Sequence, residues 1–187
     1  FENVSVVVFV ASLSSFDEQM YDDETVNSLQ DSIALFKEIC ELRYFAHQHM
    51  ILILNKQDLL QEKLNAGMRI CLCETIFFFF KKKAIKHYYI QCKRLKDFPA
   101  TEDYTGKDDD VEESVKHIES KFQLAFLQAI GQLRKSTAVD IQSAAEKRRL
   151  FVRYTCAYKI ESVRSVFDDI AGILTGKITP NEIHSTT

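Results

Sequence analysis

No run of the form Gly-x-x-x-x-Gly-Lys-Ser/Thr occurs in the 187 residues. The loop that cradles nucleotide phosphates with backbone N–H groups and a lysine is therefore not written here. The nearest text, Gly172-Ile173-Leu174-Thr175-Gly176-Lys177-Ile178-Thr179, is one residue short between its glycines. It sets Ile178 where a hydroxyl is needed, and it closes a helical pattern instead of opening one, so it reads as a helix stop. Charge of one sign is not in excess: the formal net charge is −3, which gives no reason to expect nucleic acid. No uncharged apolar run reaches the roughly 17–25 residues that a membrane helix takes. The five cysteines are odd in number and lack framework spacing, so reduced thiols are expected. Cys71-Leu72-Cys73 is not a zinc pattern, and no second pair completes one. No signal peptide opens the sequence, which leaves Asn3-Val4-Ser5 as a glycosylation match without a compartment to use it. The chain starts on Phe1, directly on an apolar strand, and reads as a fragment whose beginning lies elsewhere.

What is present is organised around Met50–Leu60, MILILNKQDLL. Met50–Leu54 is continuously apolar, as in a parallel strand covered on both faces. Four polar residues, Asn55-Lys56-Gln57-Asp58, follow at its carboxyl end, where an open α/β sheet places its ligand. Guanine differs from adenine in presenting two donors on its pairing edge. An ionised carboxylate only accepts, and it has two oxygens, so Asp58 matches guanine and is left unpaired by adenine. The Lys56 stem can cover the base face, and the Asn55 amide can tie neighbouring loops or reach the base. A solvated lysine and aspartate after a strand is the other reading of these four letters.

The length suits one domain with a sizeable core. Val4–Leu13 is predicted as a second buried parallel strand, rich in β-branched residues and ended by Ser12, Ser14 and Ser15. An acidic run over Asp17–Glu24 leads into a helix with Val26, Leu29, Ile33, Phe36 and Cys40 on one face. Strand, helix, strand in this order predicts a right-handed crossover. A short helix is expected after Asp58 through Lys63. Asp97–Asp110 reads as loop, and Val111, Val115, Ile118, Phe122 and Phe126 mark a further amphipathic helix. Ser136–Lys147 reads as helix or loop. Leu150–Ala157 is a third strand candidate, and Ile160, Val163, Phe167, Ile170 and Leu174 mark a last helix. The final residues, 179–187, look frayed. His47 and His49 have no nucleophile or metal partner in the pattern and read as surface residues at a helix end.

Cys71–Cys92, CLCETIFFFFKKKAIKHYYIQC, abuts four Phe and three Lys without periodicity. An interfacial anchor is one reading. The preferred reading is translated intron, because T-rich and A-rich DNA encodes Phe, Lys, Ile and Tyr. A spliced messenger that still encodes Phe77–Lys83 would end that idea.

The text resembles the carboxyl-terminal half of a heterotrimeric G-protein α subunit. Phe1-Glu2-Asn3-Val4 with VVVFVASLS resembles the start and body of the family's fourth strand. Ser14-Ser15-Phe16-Asp17-Glu18-Gln19, Asp22-Asp23-Glu24-Thr25 and Asn27 resemble the stretch before its third helix, continued by Ser32–Phe36 and Arg43-Tyr44-Phe45. ILILNKQDLLQEKL resembles the fifth strand and the guanine motif. Asp103-Tyr104-Thr105-Gly106 is similar to the next landmark. Thr155-Cys156-Ala157, followed by ESVRSVFDDI, resembles the sixth strand, the second guanine loop and the last helix.

The resemblance implies an α/β fold, a partial Ras-like domain over residues 1–178 with a parallel sheet, flanking helices and an atypical insertion at about 71–96. It implies that Asp58 reads guanine, that Asn55 and Lys56 support it, and that the Cys156–Ala157 backbone meets the base oxygen, where an adenine amine would find only a donor. The implied ligands are GTP and GDP, with Mg2+ in the full-length family. The implied partners are a βγ dimer, a G-protein-coupled receptor and an effector, at the cytoplasmic face of the plasma membrane. The whole protein would be a GDP/GTP switch and slow GTPase. The sequence departs from the family in lacking the phosphate loop, the Asp-x-x-Gly-Gln segment and the catalytic arginine that phosphoryl transfer uses. Asn27–Ser32 lacks the Arg-Met pair, Tyr44 replaces Trp, Tyr158 replaces Thr, and Gly176–Thr187 does not resemble the receptor-contacting tail. The lipidation site also lies outside this text. No GTP hydrolysis by this chain alone is expected. The alternative is a non-enzymatic module that keeps effector or receptor surfaces on Val26–Tyr44 and Ile160–Leu174.

Overall fold

The structure is a computed structural model and describes residues 4–66, 94–156 and 159–175. Three strands, β1 (Val6–Ser12), β2 (His49–Asn55) and β3 (Leu150–Thr155), form one parallel sheet in the order β1-β2-β3. Their carboxyl ends are level: Ser12 pairs with Asn55, and Asn55 with Thr155. Among the described residues, five α-helices accompany them. These are α1 (Ser28–Glu41), α2 (57–66), α3 (Val111–Leu133), α4 (Val139–Lys147) and α5 (Ile160–Leu174).

β2 is the middle strand, and its residues Met50–Leu54 are buried on both faces. That is why its sequence is unbroken apolar text rather than an alternation. On one face, Val7, Phe9 and Ala11 of β1 and Met50, Leu52 and Leu54 of β2 meet α1 and α3. Phe9, Phe36 and Phe122 stand edge-on or tilted, with centroids 5.1 Å apart for Phe9–Phe36 and 5.5 Å for Phe36–Phe122. Each such pair adds about 0.5–1.5 kcal/mol to the area it buries. On the other face, Ile51, Ile53 and Phe151 pack under Val166 and Ile170 of α5, and Arg153 Nε donates to Asp169 Oδ2 at 2.6 Å.

The structure modifies several expectations. β1 lies at one edge of the described sheet, and one of its faces is barer than a buried strand over Val4–Leu13 would have it: Val8 is 43% and Val10 58% exposed. The reason is geometric: the cluster under α5 takes in Ile51, Ile53, Phe151 and Val6 at the start of β1, and leaves Val8 and Val10 uncovered. α1 starts at Ser28, after Val26 and after the acidic run. Its cap is Asn27, whose side chain accepts from Gln30 N, the usual means of satisfying a first-turn amide. α2 continues past Lys63 through residue 66, where this run of described residues stops. The loop before α3 contains two short 3-10 turns, Leu95–Asp97 and Pro99–Thr101. Ser136–Lys147 resolves into α4 over Val139–Lys147, and β3 stops at Thr155. His47 is exposed, whereas His49 opens β2 and accepts from Arg149 N at 3.2 Å. Burial, with Arg149 and Arg148 beside it, holds its pKa below the ordinary value. The Cys71–Cys92 stretch and the tail 179–187 lie outside the described residues.

Candidate guanine-recognition site

The three level strand ends make a ledge, and the polar residues of Asn55–Asp58 step off it beside Thr155. Lys56 makes the step. Its φ is 63°, the left-handed region that side chains disfavour. Two contacts hold it there: Lys56 N–H donates to Thr155 O at 3.1 Å and lies 2.7 Å from Asn55 Oδ1. Lys56 O then accepts from Leu60 N at 3.1 Å, which starts α2. The turn therefore puts Asp58 in the first turn of a helix, where a carboxylate is favoured by the unpaired amides. Asp58 is half-buried, Lys56 is exposed, and Leu60 and Leu64 seat the helix from below.

The second loop leaves β3 at Thr155, which is buried. Its hydroxyl lies 3.0 Å from Ser162 Oγ, and Cys156 N–H donates to the same Ser162 oxygen at 3.2 Å. Cys156 O accepts from Lys159 N at 2.8 Å and closes the turn into α5. The Cys156 amide is thus engaged by a side chain of α5. A base oxygen would have to displace Ser162 or take the next amide, that of Ala157, which lies outside the described residues. One strand residue earlier, Tyr154 donates its hydroxyl to Glu119 of α3. Burial first, then this carboxylate, pushes the phenol's pKa upward. Glu119 also accepts from Gln123 Nε2 at 2.7 Å, so β3 is fastened to α3 just before the loop.

The structure brings Asn55, Lys56, Asp58 and Cys156 to one edge of the sheet. Ser162 carries no signal in the base-recognition text. A hydroxyl residue in the first turn of a helix is the one available hint, since such residues bond nearby backbone. Among the described residues no group of three His, Cys, Asp or Glu side chains stands close enough to hold a metal ion.

The family model for the G-protein alpha subunit matches residues 1–174. The chain belongs to that family. Curated relatives include a guanine nucleotide-binding protein subunit alpha of Coprinellus congregatus, 29% identical over 93% of this chain and 36% of its own length. The G(s) subunit alpha of Lymnaea stagnalis is 31% identical over 93% of this chain and 39% of its own. An alpha-3 subunit of Caenorhabditis elegans is 26% identical over the same share of this chain and 36% of its own length. The chain thus spans little more than a third of the length of these G-protein α subunits. Its parallel sheet with flanking helices fits a partial Ras-like α/β fold, and no described helix is long and apolar enough to cross a membrane.

Proposed function

We propose that this chain is the base-reading half of a guanine-nucleotide switch, with Asp58 taking the two donors of guanine and the Lys56 stem covering the ring. Asn55 fixes the turn, and the Cys156–Ala157 backbone faces the base oxygen. The observation that carries this reading is the level pairing of Asn55 with Thr155, with Asp58 opening α2 beside it. In the whole protein the bound species are GDP and GTP, with Mg2+ and the phosphates held by residues outside this text. The whole protein hydrolyses GTP slowly and passes a receptor's signal to an effector, alternating with a βγ dimer at the cytoplasmic face of the plasma membrane. This chain alone releases no phosphate from GTP.

A titration with GDP, IDP and ADP tests the base reading. IDP lacks the exocyclic amine and forfeits one charge-assisted hydrogen bond, so it binds about tenfold more weakly than GDP. ADP binds more weakly still. Asp58→Ala brings the three together. Equal affinities in the wild-type chain refute the reading.

A second reading, a binding module without hydrolysis, draws on the exposed apolar side chains Leu35, Leu42 and Tyr44 near α1 and Ile160, Phe167 and Leu174 on α5. Capture of effector by nucleotide-free chain favours it.

A further inference from the structure

Leu60 and Leu64 hold α2 against the core by apolar contact, which is non-directional and does not by itself fix where the helix starts. Lys56 fixes the turn before the helix directionally, and Lys63 supplies a second directional hold one turn and more into it. Its ammonium donates to Ser14 O at 2.6 Å, to Asp17 Oδ1 at 2.6 Å and to Glu18 Oε1 at 2.7 Å, and it lies 5.8 Å from the centre of the Phe16 ring. An ammonium has three N–H donors, and all three are matched. The Asp17 side chain is only 4% exposed, so the Lys63–Asp17 contact lies where water scarcely screens it.

The segment that Lys63 grips, residues 13–18, is gripped again from the other side. Asn27 Nδ2 donates to Phe16 O at 2.7 Å, while Asn27 Oδ1 caps Gln30 N at 3.0 Å. Ser28 N donates to Glu18 O at 2.9 Å. One short segment is therefore clamped between the helix that begins at the base-reading carboxylate and the amino end of α1.

We propose that Lys63 is a positioning residue for guanine recognition: it pins α2, and Asp58 with it, to residues 13–18, and through them joins the setting of Asp58 to the amino end of α1. This rests on the guanine reading of Asp58 above. Lys63 touches no base; it acts by holding a helix in register.

The test compares wild type, Lys63→Met and Asp17→Asn as full chains, by amide hydrogen exchange and by the GDP and ADP titrations. In Lys63→Met, exchange speeds about tenfold at the Lys56 and Leu60 amides and also at Ser28 and Gln30, while Met50–Leu54 stay protected. GDP affinity falls about tenfold, as expected for a misplaced contact group, and ADP affinity does not change. Asp17→Asn moves the same amides, by less. If Lys63→Met loses protection at Met50–Leu54, the milder Asp17→Asn decides. Unchanged exchange at Lys56 and Leu60, or speeding confined to residues 14–18, overturns the proposal. So does an unchanged GDP affinity in a variant whose wild type prefers GDP. A wild type with no preference for GDP over ADP removes the role toward guanine, and the exchange pattern shows separately whether the two helices are joined.

Discussion

At Lys56 the backbone sits at φ 63°, and this reverses an ordinary rule. At a normal helical or extended position, alanine is more stable than glycine by about 0.4–1 kcal/mol, because glycine's unfolded chain has more freedom to lose. In the left-handed region a Cβ crowds the following carbonyl at about 1–2 kcal/mol, and glycine escapes it. Subtracting the entropic handicap leaves Lys56→Gly more stable than Lys56→Ala by roughly 0–1.5 kcal/mol, centred near about 0.7 kcal/mol. Both variants remove the stem proposed to cover the base, so both lose GDP affinity to the same degree. Urea denaturation of the two variants supplies the stability difference, and a GDP titration supplies the affinities. An alanine variant more stable than the glycine one would refute the strained turn. A glycine variant that keeps full GDP affinity would refute the role of the stem.

Two further outcomes follow from the sheet's amino-terminal edge. Arg148 is 4% exposed; it donates from Nε to Gln48 O at 2.9 Å and from Nη1 to Cys40 O at 2.6 Å, over the Phe126 ring. Arg148→Met keeps the bulk but orphans two carbonyls, and should cost about 2–4 kcal/mol in denaturant unfolding; a variant as stable as wild type contradicts this. Cys40, buried beside it, has its thiol pushed up to about 12, mainly by burial. The native state keeps a proton that the unfolded chain gives up near 9.0. The associated stability is full below that pH and is lost as pH rises toward 12, about 2 kcal/mol of it by pH 10.5. Unfolding midpoints at pH 8 and pH 10.5 should therefore fall more steeply for wild type than for Cys40→Ala, and parallel slopes would dismiss the buried thiol as the cause.

Elements whose signal is local were legible. β2 announced itself by an unbroken apolar run, and α1, α3 and α5 by side chains repeating at three and four residues. The carboxyl-end rule then located Asn55–Asp58 before any strand had been paired. What was not legible depends on partners distant in the chain. Val8 and Val10 look as apolar as Ile51 and Ile53, and only the position of α5 separates a covered face from a bare one. Lys63 marks only the end of an expected short helix, and nothing local in the sequence signals its contacts with Ser14, Asp17 and Glu18. Nothing local in the sequence marks Arg148 for its bonds to the Cys40 and Gln48 carbonyls. The left-handed Lys56 has no marker at all, because the text offers neither Gly nor Asn there.

The middle strand meets its two neighbours at very different times. β1 and β2 are joined through one helix, but β2 and β3 pair residues as far apart as Met50 and Leu150. At about 5–20 residues per second, a ribosome needs roughly 5–20 s to cover that interval. Through all of it one flank of β2 lacks its ladder, and the loop from Asn55 has no Thr155 carbonyl to hold it. Non-local pairing of this kind comes late because the loop-closure entropy is spent before contacts return it. The ledge at the strand ends is therefore among the last features to assemble, and a nascent chain halted between α3 and β3 would carry α1 and α3 without the Asn55–Thr155 pairing on which the proposed guanine site rests.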